Sequence, residues 1–148
     1  MNIYLYSFKG EILQKAKIAC GKNYGNKEAI GDNKTPEGVF NIAQIENSSH
    51  WKHNFDDGKG EIEGAYGPYF IRLNVPGQKG IGIHGTHDAG SIGNRLTEGC
   101  IRLKNDDLVK LVNRISSASI VIIIPSQSDA DSTIISRIKN EIRDGSSK

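Results

Sequence analysis

The chain has 148 residues, of which 36% are hydrophobic and 24% are charged, and its formal net charge is +2. This length favours one domain with a real hydrophobic core, and so small a net charge gives no indication of binding to nucleic acid or to an anionic membrane surface. No apolar stretch approaches the roughly 18 residues of a membrane span, and the first residues lack the basic and apolar regions of a signal peptide.

The first part of the chain is predicted to be mainly β. Alternating apolar and polar residues at 2–8 and 11–20, joined by a Lys-Gly turn, predict an N-terminal hairpin. Residues 21–34 are polar and rich in glycine, which is typical of a long loop. A Pro-Gly turn then leads into a strand at residues 39–45.

Residues 46–67 form the most unusual segment, because they combine two histidines, Trp51, Phe55 and an acidic, glycine-rich turn. A loop of this length in a compact domain is often functional. It is either a lid or substrate wall, with Trp51 and Phe55 as contacts, or a hairpin whose aromatic rings pack on the core. Two strands are predicted after it, at residues 69–74 and 81–84.

The second part of the chain adds helices. Asn105 is a favourable N-cap and two aspartates follow it. An apolar stripe predicts that this helix covers the sheet; the stripe consists of Leu108, Leu111, Val112 and Ile115. Residues 119–124 predict a buried strand. Residues 126–148 are expected to be a linker followed by an amphipathic helix that docks on the same domain, so that 1–125 is the main domain.

The residues that carry chemistry lie between positions 81 and 103. His84 ends a short strand, and Cys100 follows a glycine-rich loop that can bring the two together at modest entropic cost. A thiol is a weak nucleophile at its free pKa of ~8.5, and a nearby histidine can take its proton and later return one to a leaving group. Gly99 permits a tight turn that directs the N–H groups of Gly99 and Cys100 into one concavity, which could hold an oxyanion.

Several motifs together identify a family. They are His84-Gly85-Thr86, Ser91-Ile92-Gly93, Gly99-Cys100-Ile101-Arg102-Leu103 and, upstream, Thr35-Pro36-Glu37-Gly38-Val39-Phe40. In order and spacing they closely resemble the L,D-transpeptidase (YkuD-type) catalytic domain of bacterial cell-wall enzymes, over residues 2–124. The resemblance implies a mainly β, mixed α+β fold, a YkuD-like β-sandwich or sheet with one or two covering helices, and makes 1–125 the catalytic domain.

The same resemblance implies a reaction. Cys100 would attack the L-centred residue, diaminopimelate, of a tetrapeptide stem of peptidoglycan, and release D-Ala that His84 protonates. The backbone carbonyl of Gly85 would orient the His84 imidazole. Transfer of the acyl group to an amine on a second stem would give a 3→3 crosslink, whereas transfer to water would make the protein an L,D-carboxypeptidase. Carbapenem-type β-lactams are expected to acylate Cys100.

Further expectations follow from the resemblance. No metal or organic cofactor is needed, the protein is expected to be a monomer, and its location is the cell envelope, either periplasm or cell wall. Arg102 either binds a substrate carboxylate bidentately or forms a structural ion pair. Thr97, Tyr69 and Trp51 are expected to contact substrate. A tyrosine hydroxyl, from Tyr66 or Tyr69, can assist the oxyanion hole.

Glu98 departs from the family pattern, which has histidine before the Gly-Cys pair. A carboxylate near the thiolate would raise the pKa of the cysteine, so Glu98 is predicted to point away. Two other classes of function stay open: a catalytically silent peptidoglycan-binding module, suggested by Glu98, and a zinc hydrolase that uses His84, His87 and Cys100. Cys20 is expected to be a buried free thiol, and a disulfide with Cys100 could only be an inactive or regulatory state.

Overall fold

The computed structural model describes residues 1–125 of the chain. Within that part, strands dominate and a single α-helix is present, which confirms the expected mainly β class. In chain order the elements are β1 (Asn2–Tyr6), β2 (Ile12–Lys17), β3 (Cys20–Gly21), β4 (Gly38–Asn47), β5 (Lys52–Asn54), β6 (Glu61–Glu63), β7 (Tyr69–Leu73), β8 (Gly82–His84), β9 (Arg95–Thr97), β10 (Ile101–Arg102), α1 (Asn105–Val112) and β11 (Ile120–Ile123). The linker and second helix expected at 126–148 lie outside the described residues.

A five-stranded mixed sheet in the order β10-β8-β7-β4-β11 is the centre of the fold. β10 runs parallel to β8, and the other neighbours are antiparallel. Successive side chains of a strand face opposite sides. On β7 and β8, Ile71 and Ile83 therefore face the hydrophobic core, while Phe70 and His84 face the other side. The core side is closed by α1, whose Leu108 and Leu111 are buried.

The N-terminal hairpin forms as predicted. β1 and β2 pair antiparallel, and Ile3 and Leu5 pack against the core cluster. The Gln14 side chain donates a hydrogen bond to the backbone carbonyl of Asp107 at 2.9 Å. This bond joins the hairpin to the first turn of α1.

The start of α1 corrects one prediction. Asn105 is the first helical residue, and Lys104 holds the N-cap position without a side-chain capping bond. The Asn105 side-chain oxygen accepts a hydrogen bond from the N–H of Thr86 at 2.8 Å instead. The prediction that Asn105 is the N-cap was wrong, because its carboxamide binds the backbone just after His84 instead. Asp106 and Asp107 do lie in the first turn.

Residues 46–67 form a hairpin, with β5 paired antiparallel to β6. Trp51, immediately before β5, packs against the edge of Tyr66 with ring centroids 5.9 Å apart and against Phe70 at 5.4 Å. The hairpin interpretation of this segment is therefore confirmed, and the position of its aromatic rings is compatible with a substrate wall. It is a hairpin excursion with aromatic rings packed on the sheet, on the side away from the core.

The long loop between β3 and β4 is attached to the segment before Cys100. β3 pairs parallel with β9, and the Gly21 N–H donates to the Thr35 hydroxyl at 2.8 Å. Cys20 is buried and free, as expected, and Cys100 is also a free thiol. In the described part of the chain, no helix has the length and apolar character needed to cross a membrane.

Replacing Gly82 by alanine tests how tightly β7 and β8 are packed. A methyl group at Gly82 would press on the Ile71 carbonyl and lie 2.5 Å from Cε1 of Phe70. We expect Gly82→Ala to lower the free energy of unfolding by about 1–3 kcal/mol, because overpacking a close-packed interior costs that much. Thermal unfolding followed by circular dichroism measures the loss.

Gly90→Ala is the matched control for this substitution. The nearest atom to a methyl group at Gly90 is a carboxylate oxygen of Asp88, at 3.3 Å, and that side chain can shift. We expect a change of only about 0.5 kcal/mol, as for other surface substitutions. Equal melting temperatures for the two variants would contradict the packing described for Gly82.

Candidate active site

The pairing of β8 with β10 brings His84 and Cys100 to the same face of the sheet. Ile101 lies opposite Ile83, and Arg102 lies opposite His84. Because side chains alternate along a strand, the side chains of Cys100, Arg102 and His84 share the face away from the core. All three line a cleft of about 1010 Å³.

The His84 imidazole is buried and held in one orientation. Its Nδ1 lies 2.6 Å from the backbone oxygen of Gly85. A carbonyl only accepts hydrogen bonds, so Nδ1 carries the proton and Nε2 is the basic nitrogen. The ring stacks on Phe70, with centroids 5.6 Å apart and an interplanar angle of 7°, and the Tyr66 ring meets it edge-on at 5.0 Å.

Burial sets the protonation state of His84. It lowers the pKa of the imidazole to about 4, against the opposing effect of the hydrogen bond to Gly85, while the charges of Arg102 and His53 lower it further. The ring is therefore a neutral base at neutral pH. A neutral imidazole with a free Nε2 can accept a proton from a nearby thiol.

The Cys100 thiol is protonated in the resting protein. Burial raises its pKa to about 11; a hydrogen bond from the Gly82 backbone acts in the opposite direction, and Glu98 raises the pKa again. The positive charges of Lys27 and Arg102 lower it. The thiol sulfur lies 3.4 Å from the Gly80 carbonyl, to which it donates.

The turn before Cys100 differs in one respect from the expectation. Gly99 has a φ of +143°, and a Cβ there would lie 2.7 Å from the Lys34 carbonyl, so only glycine fits. Its N–H donates to the Thr97 hydroxyl at 3.2 Å, and that hydroxyl donates to the Cys100 carbonyl at 2.6 Å. The Gly99 N–H is therefore committed to the loop and not available to an oxyanion, and Thr97 uses its hydroxyl to shape the loop.

Tyr66, and not Tyr69, lies at the cleft. Tyr66 lines it, and burial raises the pKa of its phenol, helped by the nearby Cys100 and Glu98, so the hydroxyl is a neutral donor. Tyr69 packs against the hydrophobic core. The reason is strand alternation: Phe70 lies opposite His84 and faces the cleft, so its neighbour Tyr69 faces the other way. The expected substrate contact at Tyr69 is corrected accordingly.

Arg102 is buried, with 5% of its surface exposed. Its Nη1 donates to the Ser91 hydroxyl at 2.9 Å, which pins the loop between His84 and Cys100. The guanidinium carbon lies 5.8 Å from the centre of the Phe55 ring. Its Nε is buried and has no hydrogen-bond partner among residues 1–125. Arg102 thus stabilises the loop through its bond to Ser91, and its guanidinium still has one donor without a partner in that part of the chain.

Glu98 does not point away from the cleft, contrary to the prediction. Its carboxylate lines the cleft and lies 3.5 Å from Nε2 of His53, on β5. This contact joins the β5–β6 hairpin to the segment that carries the nucleophile. Trp51 and Phe55 line the same cleft, so the aromatic residues singled out in the sequence form one of its walls.

The described residues do not provide the ligands that a zinc hydrolase would need. His87 is exposed, and its ring packs against Phe55 with centroids 5.2 Å apart. In the part of the chain that the structure describes, no three side chains of His, Cys, Asp or Glu are grouped closely enough to hold a metal ion.

Comparison with known proteins finds L,D-transpeptidases among the relatives. The putative L,D-transpeptidase YqjB of Bacillus subtilis (strain 168) is 35% identical over 95 residues, which are 62% of this chain and 53% of YqjB. This chain therefore spans about half the length of that relative. The catalytic domain of the E. faecium L,D-transpeptidase is similar in structure, with a TM-score of 0.58, 21% identity, and 83% of this chain and 88% of that chain covered.

A second structure of the E. faecium domain is acylated by ertapenem, and it matches with a TM-score of 0.56, 22% identity and the same coverage. The family model for the YkuD L,D-transpeptidase catalytic domain matches residues 2–123. This match covers nearly all of the described part of the chain and includes every motif on which the resemblance rested. The chain belongs to the YkuD family of L,D-transpeptidase catalytic domains.

Proposed function

We propose that this chain is the catalytic domain of a cysteine-dependent peptidoglycan L,D-transpeptidase that acts in the cell envelope. One observation carries the proposal. Cys100 and a neutral His84 share a face of two paired strands and open into the same cleft, with Nδ1 of His84 bonded to the Gly85 carbonyl. This leaves Nε2 as the base that a thiol nucleophile needs. Family membership supports the reaction class.

The first half of the reaction forms a thioester. The Cys100 sulfur attacks the carbonyl carbon of the L-centred residue of a tetrapeptide stem, as its proton passes to Nε2 of His84. The oxyanion that forms accepts hydrogen bonds from the Cys100 N–H and the Tyr66 hydroxyl. The carbon–nitrogen bond then breaks, and His84 returns its proton to the amine of the departing D-Ala.

The second half transfers the acyl group. An amine of a second stem attacks the thioester, loses a proton to His84, and leaves the Cys100 thiol restored and the two stems joined by a 3→3 crosslink. Water in place of the amine would give an L,D-carboxypeptidase with the same residues. The cleft volume of about 1010 Å³ is at the upper end of the range for small-molecule sites. A cleft of this size admits a peptide substrate, and the acceptor then decides between the two reactions.

Arg102 and Trp51 are the proposed substrate contacts. Arg102 lines the cleft with a guanidinium whose buried Nε has no hydrogen-bond partner among residues 1–125, and charge-assisted hydrogen bonds to carboxylates are among the strongest available. Stem peptides carry such carboxylates. Trp51 also lines the cleft and supplies apolar area for the peptide.

Intact-protein mass spectrometry after incubation with ertapenem tests the proposal. We expect a stable mass increase of one drug molecule on the parent protein and none on Cys100→Ala, because the adduct is a thioester of Cys100. Ertapenem is chosen because it acylates the E. faecium domain. Cys20→Ala removes the other free thiol and should form the adduct as the parent does.

Absence of the adduct from folded, reduced parent protein would contradict the proposal and favour the silent peptidoglycan-binding module. Tetrapeptide stems then separate the two catalytic alternatives. With an amine acceptor present, a crosslinked dimer should exceed the tripeptide product. Tripeptide as the sole product, whatever the acceptor, would assign the carboxypeptidase.

The pH dependence of acylation follows from the two pKa values. Below pH 4 His84 is protonated and accepts no proton, so the rate of ertapenem acylation should rise as pH increases through about 4. It should then stay level up to pH 8, because the thiol has a pKa of about 11 and remains protonated. Stopped-flow absorbance of β-lactam loss measures this profile. An inflection between pH 6 and 8 would contradict the assignment of a neutral thiol and a neutral imidazole.

A further inference from the structure

A lysine in the loop between β3 and β4 is buried beside the nucleophile. The Lys27 side chain is only 5% exposed and lines the same cleft as Cys100 and His84. Its Nζ lies 3.5 Å from the point that a Cβ on Gly99 would occupy, and Gly99 directly precedes Cys100. Lysine is almost never buried without a partner, so this position needs a physical explanation.

Asp32 fixes the ammonium group. Its Oδ1 accepts from Nζ of Lys27 at 2.9 Å and from the Lys34 N–H at 3.0 Å, while its Oδ2 accepts from the N–H groups of Glu28 and Ala29 at 2.8 and 2.9 Å. The negative charge of the carboxylate is thus shared among four donors. An ammonium group has three donors, and Asp32 is its only hydrogen-bond partner within residues 1–125. Lys27 is held in one place without being fully neutralised.

We propose that Lys27 is a positioning residue of the reaction centre, whose fixed positive charge stabilises the anionic sulfur of Cys100 as its proton leaves. The inference rests on the proposed role of Cys100 as the nucleophile. A point charge acts more strongly at a partly buried site than in water. The Gly99 N–H, which could otherwise have helped, is committed to Thr97.

The electrostatic balance around Cys100 agrees with this role. Burial and Glu98 both raise the pKa of the thiol, and Lys27 is one of the groups that lower it. The other cation, Arg102, donates to Ser91. Lys27 therefore counters the cost of forming an anion in a partly buried turn.

A purely structural role is the alternative. Lys27 and Asp32 could simply hold the loop together, as buried ion pairs do when both partners are present. In that case, removing either partner should have the same effect, namely a less stable loop. Any effect on the reactivity of the thiol should then be the same for both variants.

Alkylation of Cys100 by iodoacetamide separates the two roles, because the thiolate displaces iodide and no acyl substrate is needed. Peptide mass spectrometry distinguishes Cys100 from Cys20. Between pH 7 and 9 we expect Lys27→Met to slow the alkylation of Cys100 about three- to tenfold, as loss of a nearby charge raises the thiol pKa. Lys27→Arg keeps the charge and should retain most of the rate.

Two further variants complete the test. Lys9→Met removes a charge from the turn between β1 and β2 and should leave the rate as it is. Asp32→Asn keeps an oxygen acceptor but removes the negative charge beside the ammonium, so it should speed alkylation, opposite in sign to Lys27→Met. The proposal is overturned if both variants at the pair slow the reaction alike, or if Lys27→Met alkylates like the parent.

The readout is independent of the transpeptidase. Alkylation that follows the expected pattern, in a protein that forms no ertapenem adduct, would contradict the proposed function and leave the electrostatic role of Lys27 standing. An adduct on a protein whose alkylation rate does not respond to Lys27→Met would overturn only the role of Lys27.

Discussion

The site depends on one hydrogen bond and the strand pairing that supports it. Nδ1 of His84 donates to the carbonyl of the next residue, Gly85, so the backbone takes the orienting part that a carboxylate side chain plays in other triads. Position 85 is a glycine because a side chain there would collide with Asn105 and approach Gly67. Asn105 in turn holds Thr86, so the start of α1, β8 and the imidazole form one rigid unit.

Burial determines the protonation states of both His84 and Cys100. It keeps His84 a neutral base, with a pKa near 4, and it keeps Cys100 a neutral thiol. The two pKa shifts thus favour a neutral thiol and a neutral imidazole over a preformed thiolate–imidazolium pair. The sulfur becomes anionic only as the proton moves to His84. The charges around the cleft determine the free energy of forming this thiolate. Lys27 and Arg102 favour the anion, whereas Glu98 opposes it.

Structural features that depend on a local sequence pattern could be predicted from the sequence. Alternation predicted the N-terminal hairpin, apolar runs bounded by turn residues predicted strands of the central sheet at 39–45, 69–74, 81–84 and 119–124, and the motifs around His84 and Cys100 identified the family. Strand alternation could also have excluded Tyr69, since it places Tyr69 and Phe70 on opposite faces once His84 is known to pair with Phe70.

The remaining features arise from contacts between distant segments. Asn105 is a good N-cap by residue type, but Thr86 uses its carboxamide. Glu98 was expected to avoid the thiolate, but His53, on a separate hairpin, holds it in the cleft. Lys27 reaches Gly99 from a loop more than seventy positions earlier in the chain. No local pattern signals such pairings, because tertiary packing alone creates them.

The protonation state of His84 is the most direct test of this account. Nitrogen-15 NMR of the imidazole, followed from pH 3 to pH 9 in the parent protein and in Cys100→Ala, reports both the pKa and the nitrogen that carries the proton. We expect a neutral ring protonated on Nδ1 throughout the range from pH 6 to pH 8, with titration near pH 4. A doubly protonated ring at pH 7 that becomes neutral in Cys100→Ala would reveal a thiolate–imidazolium pair and contradict it.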